Sequence, residues 1–213
     1  FIPSGSTNDF AASLHLSSNI LQAAQDIADG IAEPLDIGSF NGRYFSYVAS
    51  FGAFTRTSYA TPQNVKNALG HLAYLLEGIK DLPSIRPWHV RFETEGEVME
   101  DDYVFGAICN STSVGGILTL APDVVDMNDG KFELLLIKTP TTAAELNDIV
   151  VALSTQKYDY PAINFCTASK MSPSTIPQTR SLRKLYLVRI RILSFWRMVM
   201  QECFTPMMIE ICA

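Results

Sequence analysis

Two short stretches of this sequence carry residue types suited to phosphate and metal chemistry. The first is Pro3-Ser4-Gly5-Ser6-Thr7-Asn8-Asp9-Phe10, in which a strand end turns through glycine into the start of a helix. Such a turn aims backbone N–H groups and a partial positive charge at an anion, the Ser6 hydroxyl can donate to a phosphate oxygen, and Asp9 can hold Mg2+ directly or through water. An ordinary capped turn would use the same residues, and both readings stay open on this stretch alone. The second is Asp123, Asp126, Asn128, Asp129, Gly130 and Lys131, a carboxylate-rich loop before an expected strand, Phe132 to Ile137. It is not an EF-hand, because Gly130 follows Asp126 by four residues and Ile137 stands where the bidentate Glu is needed. A solvated Asp-Gly turn and a hard-cation site both fit it.

Other chemistries find less support. Val48-Ala49-Ser50-Phe51-Gly52 lacks the first glycine of a nucleophile elbow and precedes no clear helix. His15, His71 and His89 are scattered without metal-ligand spacing, and Cys109, Cys166, Cys203 and Cys212 form no CxxC pair. That cysteine pattern suits a reducing, cytoplasmic setting. Asn110-Ser111-Thr112 matches a glycosylation sequon but, with no secretory signal, reads as a turn. The acidic run from Glu93 to Asp102 reads as a solvated face or as edge-strand protection.

The elements that must position these stretches follow from periodicity. Thr7, Asn8 and Asp9 supply cap chemistry for a short helix through about Leu16, and Ser17 or Ser18 caps a second, with Ile20, Leu21, Ala24, Ile27 and Ala28 on one face and Gly30 at its end. Asn41-Gly42 between Leu35–Phe40 and Arg43–Phe51 predicts a hairpin. Thr61-Pro62 opens a helix over Val65 to Ile79. Strands are expected at Trp88–Glu93, Val98–Met99, Tyr103–Asn110, Lys131–Ile137 and Ala162–Cys166, and Thr142 with Glu145 forms a capping box for a helix to about Leu153. Beyond that, Pro173 and Pro177 break the pattern, while Tyr186 to Leu193 alternates Arg189 and Arg191 with aliphatics.

With 213 residues, 47% apolar and 18% charged, the chain can build a real core, and a net charge of -6 argues against nucleic acid as a partner. The charge is unevenly spread: residues 1–166 hold 9 basic and 20 acidic side chains, whereas residues 167–213 hold 7 and 2, with five of the seven Met. A basic tail, a second domain or a shifted reading frame would each produce that reversal.

Three blocks, in order, resemble the bacterial diacylglycerol kinases, lipid kinases related to sphingosine and ceramide kinases. They are Ile2-Pro3-Ser4-Gly5-Ser6-Thr7-Asn8-Asp9-Phe10-Ala11; Tyr44 to Gly52 with Lys66-Asn67-Ala68-Leu69-Gly70; and Asn110 to Gly116 followed by Pro122 to Lys131. The resemblance implies an α+β fold: residues 1–30 as the end of an α/β, NAD kinase-like ATP-binding domain, 31–170 as a β-sandwich domain with peripheral helices, and 171–213 as an atypical basic tail or frame-shifted segment. It implies ATP and Mg2+ as cofactors and transfer of the γ-phosphate to diacylglycerol or a similar lipid at a membrane surface. Carried over residue by residue, Gly5 and Ser6 face the ATP phosphates, Asn8 and Asp9 organise nucleotide and catalytic Mg2+, and Asp129 binds a structural Mg2+ with backbone oxygens near Asp126 and Lys131.

The departures are equally specific. The family's Gly-Gly-Asp-Gly-Thr motif is expected upstream of Phe1, and its catalytic acid in a late Asp-Gly-Glu, yet the Asp-Gly pairs here are Asp29-Gly30 and Asp129-Gly130, followed by Ile31 and Lys131. No catalytic base is therefore assigned, and the chain by itself is expected to be inactive. A non-catalytic sandwich module that binds anionic lipid or a partner through its basic tail is the alternative, and a sphingoid base or other lipid alcohol is the alternative substrate. The expected place is the cytoplasm, peripheral to the membrane, and an exposed sandwich edge would allow a homodimer.

Overall fold

The computed structural model describes residues 2–4, 8–31, 33–40, 43–52, 87–114, 118–175, 190–194 and 208–210. Helix α1 (Asp9–Ser13) is shorter than the expected run to Leu16. The Ser13 hydroxyl turns back to donate to the Asp9 carbonyl at 3.0 Å, and His15 takes a left-handed φ of 55°, which ends the helix. Helix α2 (Ile20–Asp29) is capped by Asn19, whose Oδ1 accepts from the N–H groups of Leu21 and Gln22 at 3.0 and 3.2 Å. Neither expected serine is the cap; Ser17 instead accepts the N–H of Asn19. The apolar face is present, but Ile20, Leu21 and Ile27 are exposed and the buried residue is Ala23.

Strands β1 (Asp36–Phe40) and β2 (Arg43–Phe45) pair antiparallel with Phe40 opposite Arg43, as a two-residue hairpin link demands; Asn41 and Gly42 lie outside the described residues. The expected continuous run to Phe51 divides at Ser46-Tyr47, because β3 (Val48–Gly52) leaves β1 and pairs with β5 (Val98–Cys109). The helix expected from Thr61 lies outside the described residues. The remaining elements are β4 (Trp88–Glu93), β6 (Ser113–Val114), β7 (Leu118–Thr119), β8 (Phe132–Lys138), α3 (Ala143–Ser154), β9 (Ile163–Ala168), β10 (Lys170–Thr175), β11 (Ile190–Ser194) and β12 (Met208–Glu210). Strand order is β12-β3-β5-β4-β10-β11-β1-β2, with β8 also on β5 and β9 on β8; β6 and β7 form a separate pair. Pro173 sits within β10 opposite Phe92 rather than ending the pattern. Beyond Met171 the described pairing of β10 is with β4 alone, so a missing N–H there breaks no second ladder.

Strand β5 is the spine. Residues 98–103 pair with β4, and residues 105–109 lie between β3 and β8. The two strands expected at Val98–Met99 and Tyr103–Asn110 are thus one. Its register against β8 slips between Tyr103 and Phe105, where Tyr103 faces Lys138 and Phe105 faces Ile137. Val104 is the extra residue, and a one-residue insertion inverts which face each later side chain takes. Met99 and Tyr103 accordingly pack in one core with Ile108, whereas Phe105, Ala107 and Cys109 enter another.

Those two cores explain why β8 reads as apolar at every position from Leu134 to Ile137: both its faces are covered. Phe132, Leu134 and Leu136 join Phe45, Phe51 and Phe92 in the inner core; Leu135 and Ile137 join Phe10, Tyr47 and Ile149 in a core containing residues of α1 and α3. Gly106 lies where β3, β5 and β8 crowd together, and a Cβ there would run into the Phe51 ring and Leu136. Gly106→Ala is expected to cost about 1–3 kcal/mol of overpacking, read as a lower urea midpoint at unchanged slope.

Helix α3 begins as expected, with the Thr142 hydroxyl accepting the Glu145 N–H at 3.1 Å. The Glu145 carboxylate reaches back to the N–H and hydroxyl of Thr141 at 2.8 and 2.9 Å, which holds it below the usual carboxylate range. Thr142→Ala should cost about 1 kcal/mol, measured by the same denaturation.

Candidate functional site

The first stretch meets the sandwich through hydroxyl groups. Asn8, with a left-handed φ of 53°, turns the chain into α1. Asp9 opens the helix and is buried, and its Oδ1 accepts from the Ser113 hydroxyl at 2.6 Å. At the far end of α1, Ser13 Oγ lies 2.7 Å from Ser111 Oγ and 3.1 Å from Thr112 Oγ1, and accepts the Thr112 N–H at 3.2 Å. The segment read from sequence as a turn is therefore the platform on which the Asn-Asp motif sits. Gly5 and Ser6 lie outside the described residues.

The second stretch is a chain of Asx turns. Asp126 Oδ1 accepts from the Asn128 N–H at 3.0 Å and Asp129 Oδ1 from the Lys131 N–H at 2.9 Å. Gly130 has a φ of 77°, the left-handed region that favours glycine, and its N–H donates to Asp36 Oδ2 at 2.7 Å. The Asp36 N–H in turn donates to the Met127 carbonyl at 2.9 Å.

Two acids under this loop escaped the sequence reading. Asp36 is 1% exposed, and burial raises its pKa against the pull of the Gly130 N–H, with Asp129 and Asp126 raising it further. Glu133 is fully buried in β8, and its carboxyl is pushed up to about 8, first by burial and then by Asp129, Asp126 and Asp36. Beyond a weak approach of its own backbone N–H, neither carboxylate oxygen of Glu133 has a hydrogen-bond partner. The signal was available: each acid interrupts an apolar run, where a charge is expensive unless something compensates it.

Asp36, Asp126, Asp129 and Glu133 act on one another electrostatically, and the Glu133 oxygens are buried without a partner. Among the described residues no three acid, histidine or cysteine side chains converge as a metal cluster. A cation here would draw on backbone carbonyls and water, the coordination Mg2+ commonly keeps. Asp126, Asp129 and Lys131 lie together in this loop, whereas no direct hydrogen bond or ion pair among the described residues joins it to Asp9.

The acidic run beside β4 is a solvated face, and over residues 98–102 the described ladder of β5 is with β4 alone, since β8 meets β5 only from Tyr103 onward. Arg91 bridges Glu93 and Glu100 at 2.8 and 3.1 Å, and His89 meets Asp102 at 2.8 Å, which raises the imidazole pKa. Among the described residues, no helix is long and apolar enough to cross a membrane.

Residues 48–176 match the YegS C-terminal NAD kinase beta sandwich-like domain, and residues 1–40 match the diacylglycerol kinase catalytic domain. The diacylglycerol kinase of Bacillus subtilis (strain 168) is 37% identical over 171 residues, covering 80% of this chain and 56% of that protein. The diacylglycerol kinase of Staphylococcus carnosus (strain TM300) is 32% identical over 178 residues, covering 83% and 58%. The chain thus spans a little over half the length of these curated relatives. A crystal structure of a diacylglycerol kinase from Bacillus anthracis str. Sterne, 23% identical, shares the fold with a TM-score of 0.61 over 90% of this chain and 62% of that one. The sandwich-domain match takes in more than half of the chain and follows the catalytic-domain match in order, and the protein belongs to the bacterial diacylglycerol kinase family.

Proposed function

We propose that the protein is part of an ATP-dependent lipid kinase acting on diacylglycerol or a similar lipid alcohol at a membrane surface. The observation that carries this reading is the buried Asp9 carboxylate of the nucleotide motif, held by Ser113 of the sandwich domain. In the reaction the lipid hydroxyl oxygen bonds to the γ-phosphorus, the bond from that phosphorus to the ADP oxygen breaks, and the hydroxyl proton passes to a base. Bound Mg2+ would neutralise charge on the transferring phosphoryl group.

Gly5 and Ser6 contact phosphate oxygens in this reading, and Asn8 and Asp9 orient nucleotide and the catalytic cation. Asp129, with backbone oxygens near Asp126 and Lys131, would hold a second, structural cation; the crowded acids beneath the loop support that reading. No Asp-Gly-Glu occurs in these 213 residues, so the base is assigned to no residue of this chain, and the chain alone is expected not to turn over.

The test is phosphoryl transfer from labelled ATP to diacylglycerol in mixed micelles by the protein expressed from its whole gene. Labelled phosphatidate is expected, and Asp129→Ala should lower kcat/KM at least about 100-fold. A well-folded protein that makes no phosphorylated lipid from any lipid alcohol would sink the proposal. If it instead bound anionic vesicles in a salt-sensitive way that needs residues 171–213 and neither ATP nor Mg2+, the binding-module reading would replace it.

A further inference from the structure

Asn110, Ser111, Thr112 and Ser113 form a run of four polar residues, of which Asn110 and Ser111 are completely buried. Burying such groups is unfavourable unless they are bonded; Asn110 Oδ1 finds no partner, and the remaining groups are bonded to two different places. At one end the Asn110 N–H donates to the Tyr47 carbonyl at 2.9 Å, and its side-chain amide donates to the Asp36 carbonyl at 3.1 Å and reaches the Met127 carbonyl at 3.5 Å. One side chain thereby stitches the start of β1 to the acidic loop, which Asp36 also grips through Met127 and Gly130. At the other end Ser113 donates to Asp9, and Ser111 and Thr112 meet Ser13. The interior is closed on itself: Ser111 Oγ donates to the Ser113 carbonyl at 2.7 Å and accepts the Ser113 N–H at 3.1 Å, while the Thr112 carbonyl accepts from Leu120 at 2.8 Å.

The geometry points to residues 110–113 as a stiff strut that sets Asp9 and the acidic loop at a fixed separation, with Asn110 and Ser113 as its two positioning residues. Its use in phosphoryl transfer rests on the function proposed above, but the strut itself does not. Neither residue needs to touch substrate. Each acts through an acid or loop it holds, so loosening one end must be felt at the other.

The experiment is residue-resolved amide hydrogen exchange on the full 213-residue chain without metal, comparing Ser113→Thr with Ser113→Val. The two replacements share a shape and differ in the hydroxyl. The valine variant is expected to exchange about tenfold faster at Ala12 in α1, at its cap residue Leu14, and also at Asp36 and Gly130, while the threonine variant keeps wild-type rates. Leu134 and Leu136 in β8 report global opening and should not change. Acceleration confined to α1 overturns the strut, as does a threonine variant that behaves like valine. If Leu134 and Leu136 also accelerate in either variant, the decision passes to Asn110→Ser, which withdraws the amide from Asp36 and Met127. Faster exchange at Gly130 and Ala12 together then supports the strut, and faster exchange at Gly130 alone overturns it. Mg2+ added to the wild-type chain tests the cation reading separately: that reading expects slower exchange at Gly130, and its failure leaves the metal-free rates to decide the strut.

Discussion

Glu133→Gln is expected to make the protein more stable than wild type at pH 8.5, by on the order of 4 kcal/mol, while the two stay within about 1 kcal/mol at pH 5. The Glu133 carboxyl is fully buried and its pKa is raised from 4.5 to about 8, by desolvation first and by Asp129, Asp126 and Asp36 after it. Below the ordinary value both folded and unfolded chains hold the proton. Between 4.5 and about 8 the unfolded chain releases it and the native chain keeps it, so stability falls by up to about 1.4 kcal/mol for each pH unit. Above that window the native state carries the charge, and the loss is complete. The glutamine amide has no proton to lose and removes this contribution. Urea denaturation at both pH values gives the difference directly, and a stability gap that stays flat with pH would refute the assignment. Mg2+ among the acids would favour the ionised carboxyl, so adding it at pH 8.5 should narrow the gap.

Glu133 also marks the boundary of what the sequence made legible. Local rules placed Trp88–Glu93 to the residue and found the Thr142 cap, because hydrophobic alternation and cap chemistry act within a few positions. They missed the unity of β5. Glu100, Asp101 and Asp102 look like a break until Arg91, His89 and Lys138 arrive from neighbouring strands to face them. The Val104 bulge is invisible for the same reason, since register is a property of a pair of strands. Pro173 misled through composition: its cost depends on which ladder needs an N–H, and that is settled by topology.

The candidate site divides along the same line. The Gly5–Asp9 and Asp126–Lys131 stretches carry their residue types in compact motifs and could be named at once. Asp36 and Ser113 serve those motifs from 94 and 104 positions away, through single hydrogen bonds that no local pattern encodes. The face of α2 was read correctly as apolar, yet among the described residues little packs on Ile20, Leu21 and Ile27. Periodicity names a face and not its partner.

Asp9→Asn should be the most damaging single change to the proposed reaction, on the order of 10^3-fold in kcat for the protein expressed from its whole gene, with the melting temperature little changed. The two side chains have the same shape, and the amide oxygen can still accept from Ser113, so α1 keeps its seat on the 110–113 segment. What disappears is the negative charge that would hold the catalytic cation against the transferring phosphoryl group. Ser113→Val makes the complementary change, keeping the charge and removing its support, and should cost less in kcat than Asp9→Asn. If Asp9→Asn lowered the melting temperature as far as the activity loss would need, Asp9 would be a structural acid like Asp36, and the catalytic cation would have to be held elsewhere. A stable, well-folded variant with near-normal kcat would remove Asp9 from the reaction altogether. Kinetics and a melting curve on the same preparation separate these outcomes, because Asp9→Asn removes the charge and keeps an oxygen that can accept from Ser113.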